Sequence, residues 1–358
     1  MTKLDISRVR LQNQGLTGEP FSQPEEVVRW LLAVQAQDFA GAKWALGLRL
    51  QDDSLAAIEQ AYAQGTILRT HLLRPTWHFV TPADIRWLLA LTAPRVHSVN
   101  AFMYRKLELD ADIFSRSNTE FGKALQGGKQ LTRVELQETL EKAGIPSRGE
   151  LRMVYFLMRA ELDGIICSGA RRGSQFTYAL LDERVPHSRT LSQNEALAEL
   201  ARRYFMSRGP ATVYDFAKWS GLTIADARHG LEEVKTQFQQ EQIDGQTYWF
   251  SSPASPPAET MPTAFLLSIY DEYISGYKNH STMAASGISE KLIAMGNLLR
   301  YIIVVNGQVV GTFRRTLRKD AVVIETNFFN QLTEAENLAV GKAAARFGAF
   351  LGLNVVMQ

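Results

Sequence analysis

Two glutamines one residue apart are the first side chains whose type and spacing could do chemistry. Gln35 and Gln37 flank Ala36 in the stretch QAQ, at the end of an apolar run. An amide side chain donates and accepts hydrogen bonds but has no useful acid–base pKa, so two of them can orient a water molecule without exchanging protons with it. Residues i and i+2 lie about 200° apart on a helix but on the same side of an extended chain. Both amides can therefore face one water only if the preceding helix ends at or before Gln35. The alternative is a polar helix end with a capping or solvated role.

A second group of polar side chains lies in the stretch THLLRPTWH, residues 70–78. Alternation along a strand would place four of them on one face: Thr70, Arg74, Thr76 and His78. Such a face could bind a phosphate or a nucleotide. In the alternative interpretation, Arg74 and His78 satisfy buried backbone carbonyls and Trp77 fills the core. The histidines have no cysteine or acidic partner at metal-site spacing, so we predict neither a metal nor a cofactor.

Basic residues cluster at three places, although the formal net charge is only +2. The clusters are Arg171 and Arg172 in ARRGS; Arg202, Arg203 and Arg208 further on; and Arg314, Arg315, Arg318 and Lys319 in the tail. Arginine and lysine in such clusters contact DNA phosphates, or they are ordinary solvated surface.

Length and composition limit the class of protein. The 358 residues predict two or three compact units, and 46% hydrophobic with 21% charged residues is typical of a globular chain. The single cysteine, Cys167, excludes an intrachain disulfide. No apolar run is long enough for a membrane span and the N-terminus lacks a signal peptide, so we expect a cytoplasmic protein without a membrane partner. We also expect it to be a monomer.

The elements that must position these residues recur in one order. A helix from Pro24 to near Val34 and a second one capped by Ser54 precede a β pair, the order of a winged helix-turn-helix unit. Two further rounds follow, each with a capping box, Thr132 with Glu135 and Thr212 with Asp215.

A β-rich tail follows the Pro/Ser-rich stretch Ser251 to Pro262. Its apolar and polar residues alternate, Asn306 and Gly307 form a tight hairpin turn, and one helix closes the chain. We therefore predict an α+β fold of tandem winged helix-turn-helix modules with a C-terminal β-rich domain. The predicted boundaries are 1–125, 126–190 and 191–250 for the modules, 251–262 for the linker, and 263–358 for the β-rich domain with its terminal helix.

Several separated blocks, in this order, resemble the winged-helix DNA glycosylase family of the AlkZ and YcaQ type. The blocks are VQAQDFAGAKWALGLR, LRTHLLRPTWHFVTPADIRWLL, YDEYISGYKNH and NGQVVGTFRR, and the resemblance covers roughly residues 20–350. It implies tandem winged helices, a β-rich C-terminal part and excision of alkylated purines from DNA. The family's catalytic motif is glutamine, an apolar residue, then glutamine or aspartate, which matches Gln35-Ala36-Gln37 in its glutamine form.

The resemblance implies a monofunctional DNA glycosylase that hydrolyses the N-glycosidic bond of N7- or N3-alkylated purines in double-stranded DNA, including bulky adducts. The hairpin that probes the lesion varies in this family, and we assign it to Arg314–Val322. Asp38 is an alternative general base to the glutamines. Asp271 and Glu272 are expected to tie the tail to a winged unit by salt bridges.

Two other functions use the same features. A DNA-binding transcriptional regulator without catalysis would bind a defined site through its wings and usually dimerise. A protein-interaction scaffold would bind DNA weakly or with little dependence on salt.

Overall fold

The computed structural model describes residues 1–149, 151–251, 261–284, 288 and 301–358. Most of the predicted linker lies outside these ranges. Contacts divide the chain into two compact units. Unit 1 comprises Met1–Ile58, Ala198–Trp219 and Ile224–Gln358, and unit 2 comprises Glu59–Leu197 and Ser220–Thr223. The predicted module boundaries follow the chain instead, and they stay a prediction.

Unit 2 contains the first β hairpin and the whole second winged-helix round. The hairpin pairs Leu68–Leu72 with Thr76–Val80. Its helices are Pro82–Lys106, Ala111–Leu125, Arg133–Lys142, Arg152–Leu162 and Leu181–Arg184. Leu131–Thr132, Thr177–Leu180 and Ile166–Ser168 form a small sheet in that order, the wing of the second round. Aromatic side chains of the helices, such as Phe114, Phe121 and Phe156, are buried together in the hydrophobic core of this unit.

Unit 1 is built on a five-stranded sheet. The strands, in spatial order, are Asn354–Met357, Ala321–Phe328, Gln308–Leu317, Tyr301–Val305 and Ala264–Ser268. All neighbours are antiparallel except the first pair, which is parallel. The helix Glu334–Leu351 contributes Phe347 and Phe350, whose rings pack 4.9 and 5.0 Å from that of Trp44. The sheet and the N-terminal segment that carries the glutamines thus share one core.

The remaining elements of unit 1 are mostly helices. They are the helices Lys3–Asn13, Pro24–Leu31, Phe39–Gly47, Ile224–Val234 and Glu272–Ser275, the short 3-10 turn Lys235–Gln237, the strand Val34–Gln35, and the hairpin Gln239–Ile243 with Gln246–Phe250. Three helices each include a boundary between the units: Leu55–Gln64, Gln193–Arg208 and Val213–Ser220. The region after Glu195 therefore contains two helices joined by a short turn, followed by a hairpin, the predicted third round.

The α+β class is confirmed, and so are the local signals. Both capping boxes form, and the Ser54 hydroxyl accepts from the Ala57 amide at 3.1 Å. The turn after Tyr301–Val305 has positive φ at Asn306 and Gly307, as predicted for a tight hairpin. No helix in the described ranges combines the length and apolarity needed to cross a bilayer.

The chain end differs from the prediction. We expected a closing helix, but the helix ends at Leu351 and the strand Asn354–Met357 follows it. Gly352 ends the helix in the left-handed conformation, φ 66°, and the chain then pairs with Ala321–Phe328. Four residues are too few to show the alternation of a strand, so this strand is specified by its pairing with Ala321–Phe328.

Candidate active site

The helix that precedes the glutamine pair ends at Leu31, three residues earlier than predicted. Leu32 has φ 66° and ψ −50°, and the Ala33 amide donates to the Leu31 carbonyl at 2.8 Å, which together make a γ-turn of the rare positive-φ type. A residue other than glycine in this conformation costs about 1–3 kcal/mol, so its surroundings must hold it. The turn converts the helix into the strand Val34–Gln35.

A buried ion pair holds this turn from two sides. Arg208 donates from Nη1 to the Leu31 carbonyl at 2.9 Å and from Nη2 to the Ala33 carbonyl at 3.1 Å. Glu272 accepts from the Gln35 amide at Oε1, 2.9 Å away, and pairs with Arg208 through Oε2 at 2.5 Å. Both charged side chains are at most 1% exposed. Three backbone groups around the turn thus have charged partners in the core.

The helix ends before Gln35, so the necessary condition for both amides to face one water is met. Gln35 is 7% exposed and ends its short strand, whereas Gln37 is exposed and lies in the bend before the helix Phe39–Gly47. The motif therefore runs from the core to the surface within three residues. Its catalytic role stays a prediction.

Asp38 caps the helix that follows the motif. Its Oδ1 accepts from the Gly41 amide at 3.1 Å, and its Oδ2 lies 3.4 Å from the Tyr301 hydroxyl, which donates to it. Burial raises the pKa of Tyr301, so the phenol keeps its proton at neutral pH. Gly41 lies in the first turn of this helix, and a Cβ there would lie 2.5 Å from Asp38 Oδ2 and 2.9 Å from the Cβ of Ser268, so a larger residue would disturb the cap. These contacts give Asp38 a structural role.

A second buried ion pair adjoins the first. Arg49 donates to both carboxylate oxygens of Asp271 at 2.9 Å, and both side chains are fully buried. Arg49 also donates to the carbonyls of Gln14 and Ala45 at 2.7 Å. The predicted salt bridges of Asp271 and Glu272 are therefore confirmed.

The polar stripe predicted in residues 70–78 lies on the hairpin of unit 2. Thr70 pairs directly with His78, and Leu72 pairs with Thr76, so Thr70, Thr76 and His78 share a face. Arg74 was expected on this face, but it lies in the turn between the strands, where Leu73 has φ 59°, so that part of the prediction is wrong. The Thr70 and Thr76 hydroxyls have no hydrogen-bond partner among the described residues. His78 Nδ1 lies 3.0 Å from the Thr76 carbonyl, in line with the alternative that His78 satisfies backbone.

The side chains on the opposite face of this hairpin pack against other residues of unit 2. His71 pairs with the buried Glu161 and stacks on Trp77, with ring centroids 4.2 Å apart. The Arg69 guanidinium lies 4.3 Å from the centroid of the Trp77 ring and 4.6 Å from that of Phe176. Among the described residues no group of three or more His, Cys, Asp or Glu could hold a metal ion.

The wing of unit 2 presents Arg171 and Arg172 differently. Arg171 donates to the Ser174 carbonyl at 3.0 Å within its own loop. Arg172 is exposed but pairs with Glu135 at 2.8 Å and donates to the Gln130 carbonyl at 2.8 Å. Hydrogen bonds from the Thr132 amide and from Arg172 lower the pKa of Glu135 to about 2. DNA contact by Arg172 would therefore compete with a carboxylate.

The tail hairpin joins Gln308–Leu317 to Ala321–Phe328. Arg314, Arg318 and Lys319 are exposed there, and Leu317, 59% exposed, lies beside them at the tip. Arg315 instead stacks on Tyr301 and Phe347, with its guanidinium 4.9 and 5.5 Å from the ring centroids. Its contact with DNA stays a prediction, as do those of the other basic residues.

The cluster of Arg202, Arg203 and Arg208 differs from the prediction at Arg208. Arg208 is fully buried in the ion pair with Glu272, so its predicted phosphate contact is wrong. Arg202 pairs with Glu199 at 2.9 Å, and Arg203 donates to the Arg29 carbonyl. The sequence interval between Arg208 and Glu272, 64 residues, gave no sign of their pairing.

Comparison with known proteins decides the family. A family model described as "DNA glycosylase AlkZ-like" matches residues 28–350, most of the chain. The chain belongs to the AlkZ-like DNA glycosylase family. An AlkZ-like protein is a DNA-binding hydrolase of DNA repair, and the predicted family resemblance is confirmed.

One curated protein and one solved structure illustrate the likeness to AlkZ-like glycosylases. The "Interstrand DNA cross-link repair glycosylase" of Streptomyces sahachiroi is 24% identical over 323 residues, which cover 85% of each chain. The structure of the Streptomyces sahachiroi DNA glycosylase AlkZ superposes with a TM-score of 0.82 at 20% identity and covers 100% of both chains. At this identity the structural match establishes the fold.

The cysteine of this AlkZ-like chain is not a candidate nucleophile. Cys167 is fully buried, and burial raises the pKa of its thiol to about 12. Because the thiolate is the reactive form, we expect a thiol-specific disulfide reagent at pH 8 to leave the folded protein unmodified. After unfolding in urea it should label about one equivalent of thiol. Rapid labelling of the folded protein would show that this strand opens.

Proposed function

We propose that the chain hydrolyses the N-glycosidic bond of N7- or N3-alkylated purines in double-stranded DNA, with Gln35 and Gln37 positioning the attacking water. Winged helices and basic hairpins hold the DNA, and no acid, base, metal or cofactor takes part. The observation that carries the proposal is the early end of the helix at Leu31, which frees the glutamine pair from helical spacing in a chain of this family. The enzyme releases the base and leaves an abasic site.

The chemistry suits amide side chains. An N7- or N3-alkylated purine carries a positive charge, which already weakens its glycosidic bond, so the base leaves without being protonated. The enzyme must then place a water below C1′ and stabilise an oxocarbenium-like sugar, which are tasks of positioning and oriented dipoles. An exposed Gln37 beside a buried Gln35 would present one amide to the DNA and keep the other fixed.

The proposed substrates include bulky purine adducts. The Streptomyces sahachiroi relative is named as an interstrand DNA cross-link repair glycosylase, and cross-linked purines are alkylated bases that are hard to extrude from a duplex. The exposed tip of the tail hairpin, with Leu317 between basic residues, supports a role in probing such lesions.

The test is incubation with duplex DNA that carries 7-methylguanine, a bulky N7 adduct or no lesion, followed by detection of free base and abasic sites. We expect free base from one or both alkylated duplexes and none from the undamaged one. Tight, salt-dependent binding without base release would indicate the non-catalytic regulator instead.

Phosphate contacts are tested separately. We expect Arg171→Ala, Arg172→Ala, Arg314→Ala and Arg318→Ala each to lower the slope of log K against log salt by roughly one unit, on any DNA sequence. Lys123→Ala is the matched control, because Lys123 is also exposed and pairs with Glu120 on its own helix. An unchanged slope in all four variants would identify these clusters as ordinary solvated surface.

A further inference from the structure

We infer that the buried Arg208–Glu272 pair is a positioning device for the candidate catalytic glutamines. The inference rests on the proposed function, and it assigns to two core residues a role in the rate of base release. Neither side chain reaches the surface, since both are at most 1% exposed. They act through the backbone that carries the motif.

The ion pair makes hydrogen bonds to the backbone of every second residue in the segment from Leu31 to Gln35. Arg208 donates to the carbonyls of Leu31 and Ala33 at 2.9 and 3.1 Å, and Glu272 accepts from the Gln35 amide at 2.9 Å. In a continued helix, the Leu31 carbonyl would accept from the Gln35 amide. Arg208 instead donates to this carbonyl, and Glu272 accepts from this amide. The ion pair thus satisfies both groups of the missing helical hydrogen bond at the residue where the motif begins.

The pair is itself held in one geometry. Trp219 donates from Nε1 to Glu272 Oε2 at 2.9 Å, and the Arg208 guanidinium lies 4.3 Å from the centroid of the Trp219 ring. Ser207 Oγ accepts from Arg208 Nη1 at 2.9 Å. A planar guanidinium with five donors can serve the two carbonyls, the hydroxyl and the carboxylate together, which a lysine ammonium cannot.

The γ-turn at Leu32 is the part of the segment that needs the ion pair. Leu32 holds a strained backbone conformation, φ 66°, which a chain adopts when its surroundings over-determine it. If the ion pair is weakened, the segment can relax toward helix, and the two amides then turn away from each other. The fold would survive such a change more readily than the alignment of Gln35 and Gln37.

The experiment compares Arg208→Lys with Arg49→Lys. Arg49 belongs to the neighbouring buried pair and donates to Gln14, Ala45 and Asp271, whereas Arg208 donates to the turn before the motif. Both substitutions keep the charge and lose the planar fork, so a general loss of stability should affect both. The two readouts are hydrogen exchange of the amides in residues 31–37 and the single-turnover rate of 7-methylguanine release.

We expect Arg208→Lys to raise exchange in residues 31–37 about tenfold and to lower the rate by a factor on the order of 10–10², with the dissociation constant for undamaged duplex changed by less than about threefold. Below its melting temperature, Arg49→Lys should match the parent in both readouts. Glu272→Gln keeps an acceptor for the Gln35 amide, so it should retain a higher rate than Glu272→Ala.

The possible results separate the two claims. Equal effects of Arg208→Lys and Arg49→Lys would overturn the positioning role, and so would faster exchange without a loss of rate. If the parent protein releases no base from alkylated DNA, the proposed function fails. In that case hydrogen exchange of residues 31–37 still tests whether the ion pair holds the turn. If Arg208→Lys and the parent exchange at the same rate, the positioning role is refuted too.

Discussion

Replacing Gln37 by alanine is expected to lower the single-turnover rate of base release by a factor on the order of 10²–10³. The lost hydrogen bond to water matters mainly in the transition state, so its removal reduces the rate rather than the affinity for DNA. Gln37 is exposed, and truncation there leaves no cavity, so the melting temperature should stay close to that of the parent.

The variant Gln37→Asp is the matched control for this prediction. A carboxylate also binds water and stabilises positive charge, and the family motif has an aspartate form, so we expect it to keep much of the activity. A Gln37→Ala protein with parental rates would remove Gln37 from the mechanism. A Gln37→Ala protein that loses DNA binding together with activity would make the residue a DNA contact instead.

Replacing Arg49 by methionine is expected to destabilise the protein by about 3–5 kcal/mol. Asp271 would remain fully buried without the bidentate partner that now neutralises it, and an uncompensated buried charge is costly. The carbonyls of Gln14 and Ala45 would lose a charged donor as well.

Urea denaturation of Arg49→Met measures this loss, with Lys123→Ala as the control. The Lys123–Glu120 pair is on the surface of one helix, so breaking it should change the free energy of unfolding by no more than about 1 kcal/mol. Equal, small losses in both variants would mean that the buried pair contributes little to the fold.

The sequence predicted the features whose signals are local. A capping box needs only Thr132 and Glu135, three residues apart, and the hairpin turn needs only Asn306 and Gly307, so both were visible without a structure. The glutamine pair was visible for the same reason. What could be read was the type and spacing of neighbouring residues.

Features that depend on distant partners could not be read in this way. The helix end at Leu31 has no glycine or proline to mark it, because a buried ion pair from elsewhere in the chain specifies the turn. In the sequence Arg208 resembles the nearby Arg202 and Arg203, and only the structure shows that it is buried against Glu272. A weak local signal was present, since Arg208 follows the apolar residues Tyr204, Phe205 and Met206 at the end of the helix Gln193–Arg208.

The most direct test of the account is single-turnover release of 7-methylguanine by the parent and by the double variant Gln35→Ala/Gln37→Ala, with the melting temperature recorded for both. We predict that the folded double variant binds the duplex but releases base little more slowly than the poorer single variant, because the two amides share one water. Parental rates in a folded double variant would contradict the account and leave QAQ as the polar end of a helix.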